Sequence, residues 1–273
     1  MLKDCKKMDD KLLFYYNILN SNKISKFMGK IVIVIPTYNE KENIGKIIEI
    51  LENEIFPKIY DYDMGILVVD DNSPDGTIDV VLEKAKKYKN LKISIGEKKG
   101  LGVAYKRGID YGKNELSADI IIKMDGDFQH NPKYILDLVQ KYREGYNYVI
   151  GSRFIKGGSI PKQWSLYRKF LSKYGGFCTR VILFFPKINI VSDISSGLTL
   201  ASVKQVLNKL DFTKVSSGFY YTTQIIYQVI KMSIRIAEIP INFELRKKGK
   251  TKMLLSNIPK TLITMIRLRL IGK

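Results

Sequence analysis

Ile31-Val-Ile-Val-Ile35 is an unbroken run of five β-branched residues, stopped by Pro36. With no polar residue at alternate positions, it suits a strand buried on both faces, as in a parallel sheet. Working outward, the same signal returns at Ile66-Leu-Val-Val69, at residues 91–95, at Ile120-Ile-Ile122 and at residues 146–150. The segments between them have helical spacing. Residues 40–56 carry Ile44, Ile47, Ile48 and Leu51 on one face, a second helix opens at Asp75-Gly76 and runs to about Tyr88, and a third covers 101–111. The fourth, 132–142, has proline in its first turn. Gly100-Leu-Gly102 lacks the third spaced glycine and the lysine-serine of a phosphate loop, and so reads as a helix-start turn. Alternation of this kind predicts an α/β fold with a mostly parallel central sheet and helices on both faces. After Ser192 it loosens. Short strands are expected near 197–201 and 234–243 around a helix over 218–231, completing the same domain.

The chain has 273 residues, with 46 basic against 27 acidic and a formal net charge of +19. An apolar content of 45% excludes intrinsic disorder, and two cysteines cannot form a disulfide scaffold. The excess charge calls for a polyanionic partner. It is concentrated. Residues 145–192 hold eight basic residues and no acid, and residues 245–273 hold nine and no acid. No secretory leader or membrane-spanning run is legible. A nucleic-acid-binding protein is the reading that charge alone suggests, but no recognition-helix motif or aromatic RNA-binding strand accompanies it.

Open parallel sheets bind ligands beyond the carboxyl ends of their strands. Three polar blocks fall there: Pro36-Thr-Tyr-Asn-Glu40, Asp70-Asp-Asn-Ser-Pro-Asp-Gly-Thr77 and Asp125-Gly-Asp-Phe-Gln129. In an extended segment, residues two apart project to one side, so Asp125, Asp127 and Gln129 offer three hard oxygen donors. Such donors suit Mg²⁺ or Mn²⁺ and leave positions for substrate phosphate. A lone Asp-x-Asp is more often a polar turn; its place after Ile120-Ile-Ile-Lys-Met124 favours a site. Asp70 and Asp71 divide evenly between a capped turn and contact with a ribose or base, while Asp75 is expected as a helix cap. Arg153 lies just past the fifth strand, and Arg168 follows Trp164-Ser-Leu-Tyr167. Arginine grips phosphate bidentately. A salt bridge is the alternative, and no acid lies near either arginine in sequence. Nothing supplies zinc ligands or a nucleophile elbow.

Two stretches have the signature of basic amphipathic helices. Leu166, Phe170, Tyr174, Phe177, Val181 and Phe184 recur with Arg168, Lys169, Lys173 and Arg180 interleaved, and Gly175-Gly176 is expected to kink them. Leu255, Ile258, Leu262, Met265 and Ile266 do likewise beside Lys260, Arg267 and Arg269. Packing into the core and lying in a membrane interface both fit that spacing; the basic faces favour the interface. These features divide the chain into a helical extension (1–29), a catalytic domain (30–252, with an interface helix at 165–186) and a basic tail helix (253–273).

Eight blocks in order are similar to those of the polyprenyl-phosphate branch of glycosyltransferase family 2, the dolichyl-phosphate mannose synthases. They are Ile35-Pro-Thr-Tyr-Asn-Glu40, Val68-Val-Asp-Asp-Asn-Ser-Pro-Asp75, Lys99-Gly-Leu-Gly102, Met124-Asp-Gly-Asp-Phe-Gln-His130, Ile150-Gly-Ser-Arg-Phe-Ile-Lys-Gly-Gly158, residues 164–169, Asp193-Ile-Ser-Ser-Gly197 and Gly249-Lys-Thr-Lys252. The resemblance implies a GT-A fold and inverting, metal-dependent hexose transfer. The implied donor is GDP-mannose and the implied acceptor a polyprenyl (dolichyl) phosphate at the cytoplasmic face of a membrane, with room for a membrane-spanning partner subunit and no nucleic acid. A UDP-sugar donor stays open. Carried over by residue, Pro36, Tyr38, Glu40, Val69, Asp71, Asp125, Gly126, Arg246, Lys248 and Lys252 would hold the nucleotide and its phosphates. Asp125, Asp127 and Gln129 would meet Mg²⁺ or Mn²⁺, and Asp127, Arg153 and Arg168 would act in transfer. Gly126 stands where alanine is usual, Phe128 where leucine is, and Lys250-Thr251 replaces the family's Glu-Ser. The transmembrane helices many members carry after the catalytic domain are not expected here.

Overall fold

The computed structural model describes residues 27–184, 190–218 and 220–246 together with Ile266, Arg269 and Leu270. In chain order its strands are β1 (Lys30–Thr37), β2 (Asp63–Asp70), β3 (Leu91–Ile95), β4 (Ile120–Lys123), β5 (Tyr148–Ser152), β6 (Thr199–Ser202) and β7 (Ile236–Pro240). The helices are α1 (Lys41–Ile50), α2 (Thr77–Lys87), α3 (Leu101–Asn114), α4 (Tyr134–Arg143), α5 (Leu166–Phe170), α6 (Gly176–Phe184) and α7 (Tyr221–Lys231). All seven strands form one sheet in the order β3-β2-β1-β4-β6-β5-β7.

The opening run behaves as its composition requires: Ile31 to Ile35 are all fully buried. Ile31, Ile33 and Ile35 join Ile44, Ile47 and Ile48 of α1, Val81 of α2 and Leu138 of α4 in one core. Val32 and Val34 point the other way, into a core with Ala104 and Ile109 of α3 and Ile226 and Val229 of α7. Two-sided burial is why the strand shows no polar alternation. The helix expected over 40–56 is α1 followed by a π-turn (Leu51–Ile55) and a short 3-10 turn (Phe56–Lys58), where Pro57 lacks the N–H that would continue the ladder.

The sheet is mostly parallel, with one reversal. β6 runs antiparallel to both β4 and β5, its Thr199 opposite Lys123 and Ile150. Its first residue therefore lies at the carboxyl ends of its neighbours, and the chain leading into it, residues 193–197, is delivered to the ligand side of the sheet. α5 continues through a π-turn (Leu171–Gly175) into α6, so the irregularity falls at the expected kink. The helical extension expected over 1–29 lies outside the described residues apart from 27–29. The expected tail helix does so apart from Ile266, Arg269 and Leu270, as do Lys248 and Lys252.

Candidate active site

The carboxyl ends of β1, β2 and β4 meet on one side of the sheet, and each is followed by a residue held at positive φ: Asn39 (57°), Asn72 (56°) and Phe128 (62°). Asparagine adopts this conformation cheaply; phenylalanine does not, and such strain concentrates at functional sites. At the β1–β2 end the two adjacent aspartates have different tasks. Asp70 is fully buried and accepts from Thr37 Oγ1 (2.7 Å), Ser73 N–H (2.7 Å) and Ser73 Oγ (2.7 Å), so it ties the loop. Asp71 accepts from Arg107 Nη2 of α3 at 2.9 Å. Lys98 lies over the Tyr38 ring, 3.5 Å from its centre. Glu40 is buried at the start of α1, its carboxylate accepting from Asn43 Nδ2 at 2.9 Å. Asp75 receives the Thr77 N–H at 3.0 Å, but the capping position of α2 is Gly76, at φ 88°, so Asp75 closes the turn before the helix and is not the cap the sequence predicts. Pro36 and Val69 are paired strand-end residues. The Val69 side chain packs toward Gly108 of α3, so only its backbone is left for a nucleotide. Gly126 sits against Ile35 and Thr37, where a Cβ would stand 3.3 Å from each side chain.

At the end of β4 the two carboxylates of the Asp-Gly-Asp block are held differently. Asp125 accepts from Tyr105 OH at 2.9 Å, and the Nδ1 of His130 lies 3.4 Å from its other oxygen. Burial pushes the His130 imidazole down to about 4, so it is neutral at physiological pH. Asp127 accepts the Gln129 N–H at 3.0 Å through one oxygen and pairs with Arg246 Nη2 at 2.6 Å through the other. Burial raises the pKa of both, and Asp125 raises Asp127 further. Lys123, the last residue of β4, is buried with its ammonium 4.8 Å from the Tyr221 ring centre and 5.2 Å from that of Tyr105; burial pulls it down to about 7.

A buried carboxylate (Asp127) and a partly exposed one (Asp125) that repel each other, with an arginine already drawn to the first, suit a divalent cation. Among the described residues no cluster of three acidic, histidine or cysteine side chains completes a cage. The donor set is thus open: Asp125, Asp127 and the Gln129 amide oxygen, whose Nε2 is bound to the Glu244 carbonyl at 3.3 Å, leave positions for water and phosphate. That is the preference of Mg²⁺ and Mn²⁺.

Facing the carboxylates is a group of guanidiniums. Arg153 is salt-bridged to the buried Asp193, Nε to Oδ2 at 2.7 Å and Nη2 to Oδ1 at 2.8 Å, and Nη2 also reaches Ser195 Oγ at 2.7 Å. The absence of nearby acids in sequence argued against a salt bridge at Arg153. The reversed β6 overturns that, because it brings Asp193 from forty residues downstream. The pair remains electrostatically coupled to Asp125. Arg168 lies 3.9 Å above the Trp164 ring; burial, then the guanidiniums of Arg246 and Arg153, lower its pKa. Phe243 packs edge-on to both His130 (5.0 Å) and Trp164 (5.8 Å). At Gly197 a Cβ would stand 2.6 Å from Asp125 Oδ2 and 3.0 Å from His130 Cε1, so only glycine allows the strand lead-in to press against both.

Three guanidiniums thus face a two-carboxylate strand end, beside the loops that follow β1 and β2. The glycosyl transferase family 2 model matches residues 32–204. The chain belongs to glycosyltransferase family 2. Its fold is GT-A. It is 34% identical over 224 residues to a dolichol-phosphate mannosyltransferase of Pyrococcus furiosus, covering 82% of this chain and 59% of that protein. The chain therefore spans about three fifths of that relative's length. It is 33% identical over 230 residues to a polyprenol monophosphomannose synthase of Mycolicibacterium smegmatis, covering 83% of this chain and 82% of that one. Among solved structures, a Mycobacterium tuberculosis glucosyl-3-phosphoglycerate synthase with Mn²⁺ and UDP aligns with a TM-score of 0.61 at 17% identity, over 90% of this chain and 81% of its own. That likeness concerns the fold.

The spatial outcome for the family 2 site is uneven. Tyr38 and Asp71 sit at the β1–β2 end, and Asp125, Asp127, Gln129, Arg153, Arg168 and Arg246 share the second cluster. Arg107, Asp193, Tyr105 and Lys123 join them unannounced. Asp193 alone had a local signal, its place in the Asp193-Ile-Ser-Ser-Gly197 block.

Proposed function

We propose that the chain transfers a hexose, mannose from GDP-mannose, to a polyprenyl (dolichyl) phosphate at the cytoplasmic face of a membrane, with inversion and with Mg²⁺ or Mn²⁺ as cofactor. The observation that carries this reading is the position of Arg168. It belongs to α5, the start of an exposed apolar helix, yet its guanidinium stacks on Trp164, whose ring meets the same Phe243 that packs against Arg153 and His130. The phosphate-binding side of the site is thus continuous with a surface suited to lipid.

That surface bears Leu166 at 83% exposure with Tyr167, Phe170, Tyr174, Phe177 and Val181, interleaved with Arg168, Lys169, Lys173 and Arg180. Arg269, from the far end of the chain, donates to the Leu183 carbonyl at 3.4 Å, with Ile266 and Leu270 exposed nearby in sequence. No helix among the described residues is long and apolar enough to cross a membrane. A helix with an apolar face and basic flanks lies in an interface instead. A membrane-spanning partner subunit is compatible with this arrangement.

The chemistry asks little proton transfer of the chain. An acceptor monophosphate has its second pKa near ~6 and arrives anionic, which fits a site whose one histidine is buried and neutral. Arg153, clamped in place by Asp193, and Arg168, stacked on Trp164, hold the entering phosphate oxygen in line with the anomeric carbon. Asp71 and Tyr38 hold the nucleoside, while Asp125, Asp127 and Gln129 orient the diphosphate end. The divalent cation, when bound, neutralises charge on the leaving diphosphate. The test is incubation with labelled GDP-mannose, UDP-glucose or UDP-GlcNAc, Mn²⁺ and a polyprenyl phosphate, followed by lipid extraction. Label from GDP-mannose alone supports the reading; label from a UDP-sugar alone moves it to the second donor class. No label in lipid from any donor overturns it.

A further inference from the structure

Arg107 was not singled out by any motif, and it has an unusual setting. From the middle of α3 its guanidinium reaches the end of β2, where Nη2 donates to the Asp70 carbonyl at 3.0 Å and to Asp71 Oδ1 at 2.9 Å. The Arg107 side chain is 23% exposed and that of Asp71 only 9%. The segment after β3 closes over it: Gly96 N–H donates to the same Asp70 carbonyl at 2.9 Å, and a Cβ at Gly96 would overlap Arg107 Nη1. The guanidinium is therefore caged between β2 and the Gly96 segment. The Asp71 N–H is fixed in turn by the Thr37 carbonyl at 3.1 Å. The N–H and one carboxylate oxygen of Asp71 are both committed, which leaves Oδ2 as the remaining acceptor of its side chain.

We infer that Arg107 is the positioning residue of the nucleoside subsite, fixing Asp71 so that Oδ2 accepts an N–H or O–H of the donor's base or ribose. This rests on the reading of Asp71 as a nucleotide contact and adds the residue that makes it one. The groups facing Asp71 are Asp70 on its own strand, Arg107 on α3, and Lys98 from the segment after β3, which covers Tyr38. Burial pushes the Asp71 carboxyl up and Asp70 adds to this, while Arg107 and Lys98 oppose it. Removing Arg107 frees the carboxylate to rotate and makes it easier to protonate. A lysine restores the charge but not the planar guanidinium, wedged against Gly96, that sets the direction in which Nη2 donates to both the Asp70 carbonyl and the Asp71 carboxylate.

The experiment is calorimetric titration of GDP and UDP into wild type, Arg107→Met, Arg107→Lys and Asp71→Asn, from pH 5 to 8 and well below each melting temperature. Loss of one hydrogen bond to a charged group corresponds to about tenfold or more in Kd. Arg107→Met is expected to weaken nucleoside diphosphate binding by about that factor, and Arg107→Lys by less. The acid-side loss of affinity should move to higher pH in Arg107→Met. KM for the sugar donor should rise by the same factor with kcat nearly constant. An Arg107 that only supports the fold would lower the melting temperature of the methionine variant and leave affinity and pH profile unchanged; that result overturns the inference alone. Wild-type affinity in Asp71→Asn, or no nucleotide binding by wild type, overturns the reading of the nucleotide site and the inference with it.

Discussion

Asp127 and Asp193 differ in what their loss should cost. Asp127 is buried at the end of β4 and spends its second oxygen on Arg246. Asp127→Asn should lower transfer by about 10²–10³-fold, the usual cost of one preorganised electrostatic contact, and should weaken Mn²⁺ binding measured by the signal of the free ion; near-normal turnover would remove Asp127 from the site. Asp193 is fully buried, and its partner is Arg153. Burial pushes its pKa up, but Arg153 and the surrounding N–H donors hold it below the ordinary carboxylate value. A depressed pKa means stability that is present above the unfolded value of about 4 and lost as pH falls through the folded one. Asp193→Asn should therefore cost about 3–5 kcal/mol at pH 7, the penalty for stranding a buried charge. It should cost progressively less in urea unfolding below pH 4. The acidic block at 125–129 was legible because a strand end in a parallel sheet is a strong positional rule. The partner of Arg153 was not, because no local pattern announces a contact made forty residues away.

Glycines of the helices divide sharply between those that pack and those that do not. At Gly102, in the first turn of α3, a Cβ would overlap the Ser216 carbonyl and stand 2.9 Å from Tyr221 Cβ, at the point where Gly102 N–H donates to the Ser217 carbonyl at 2.9 Å. Gly102→Ala should destabilise by about 1–3 kcal/mol through overpacking. Gly175→Ala, with nothing within 4 Å of the new methyl, should be neutral or stabilising by up to about 1 kcal/mol. Melting both variants beside wild type tests the contrast. The element pattern explains what could be foreseen. β1 announced itself because both its faces are apolar, whereas the direction of β6 is a property of its neighbours and of a connection through α5 and α6. The side-chain direction of Val69 was hidden for a related reason. In a strand apolar on both faces, alternation cannot say which residue faces the ligand end.

At the scale of the molecule, the net charge of +19 is concentrated in stretches that include α5, α6 and the tail. Co-sedimentation with vesicles containing anionic lipid should fall steeply between low and high salt, since each basic residue near the surface contributes about 1 kcal/mol that screening removes. Replacing Phe170 and Phe177 together by serine should weaken vesicle binding by about tenfold or more, since burying one phenylalanine is worth about 1.5–3 kcal/mol. The melting temperature should barely move, because both side chains are about half exposed, at 58% and 49%. The same stripe has a consequence for the protein alone in water. Contiguous apolar surface of this kind drives chains together once lipid is absent, and the like charge of neighbouring copies is what keeps them apart. Salt should therefore act with opposite sign in two measurements: it releases the protein from vesicles, and in lipid-free solution it promotes clustering that light scattering would register and that the Phe170 and Phe177 double replacement would relieve.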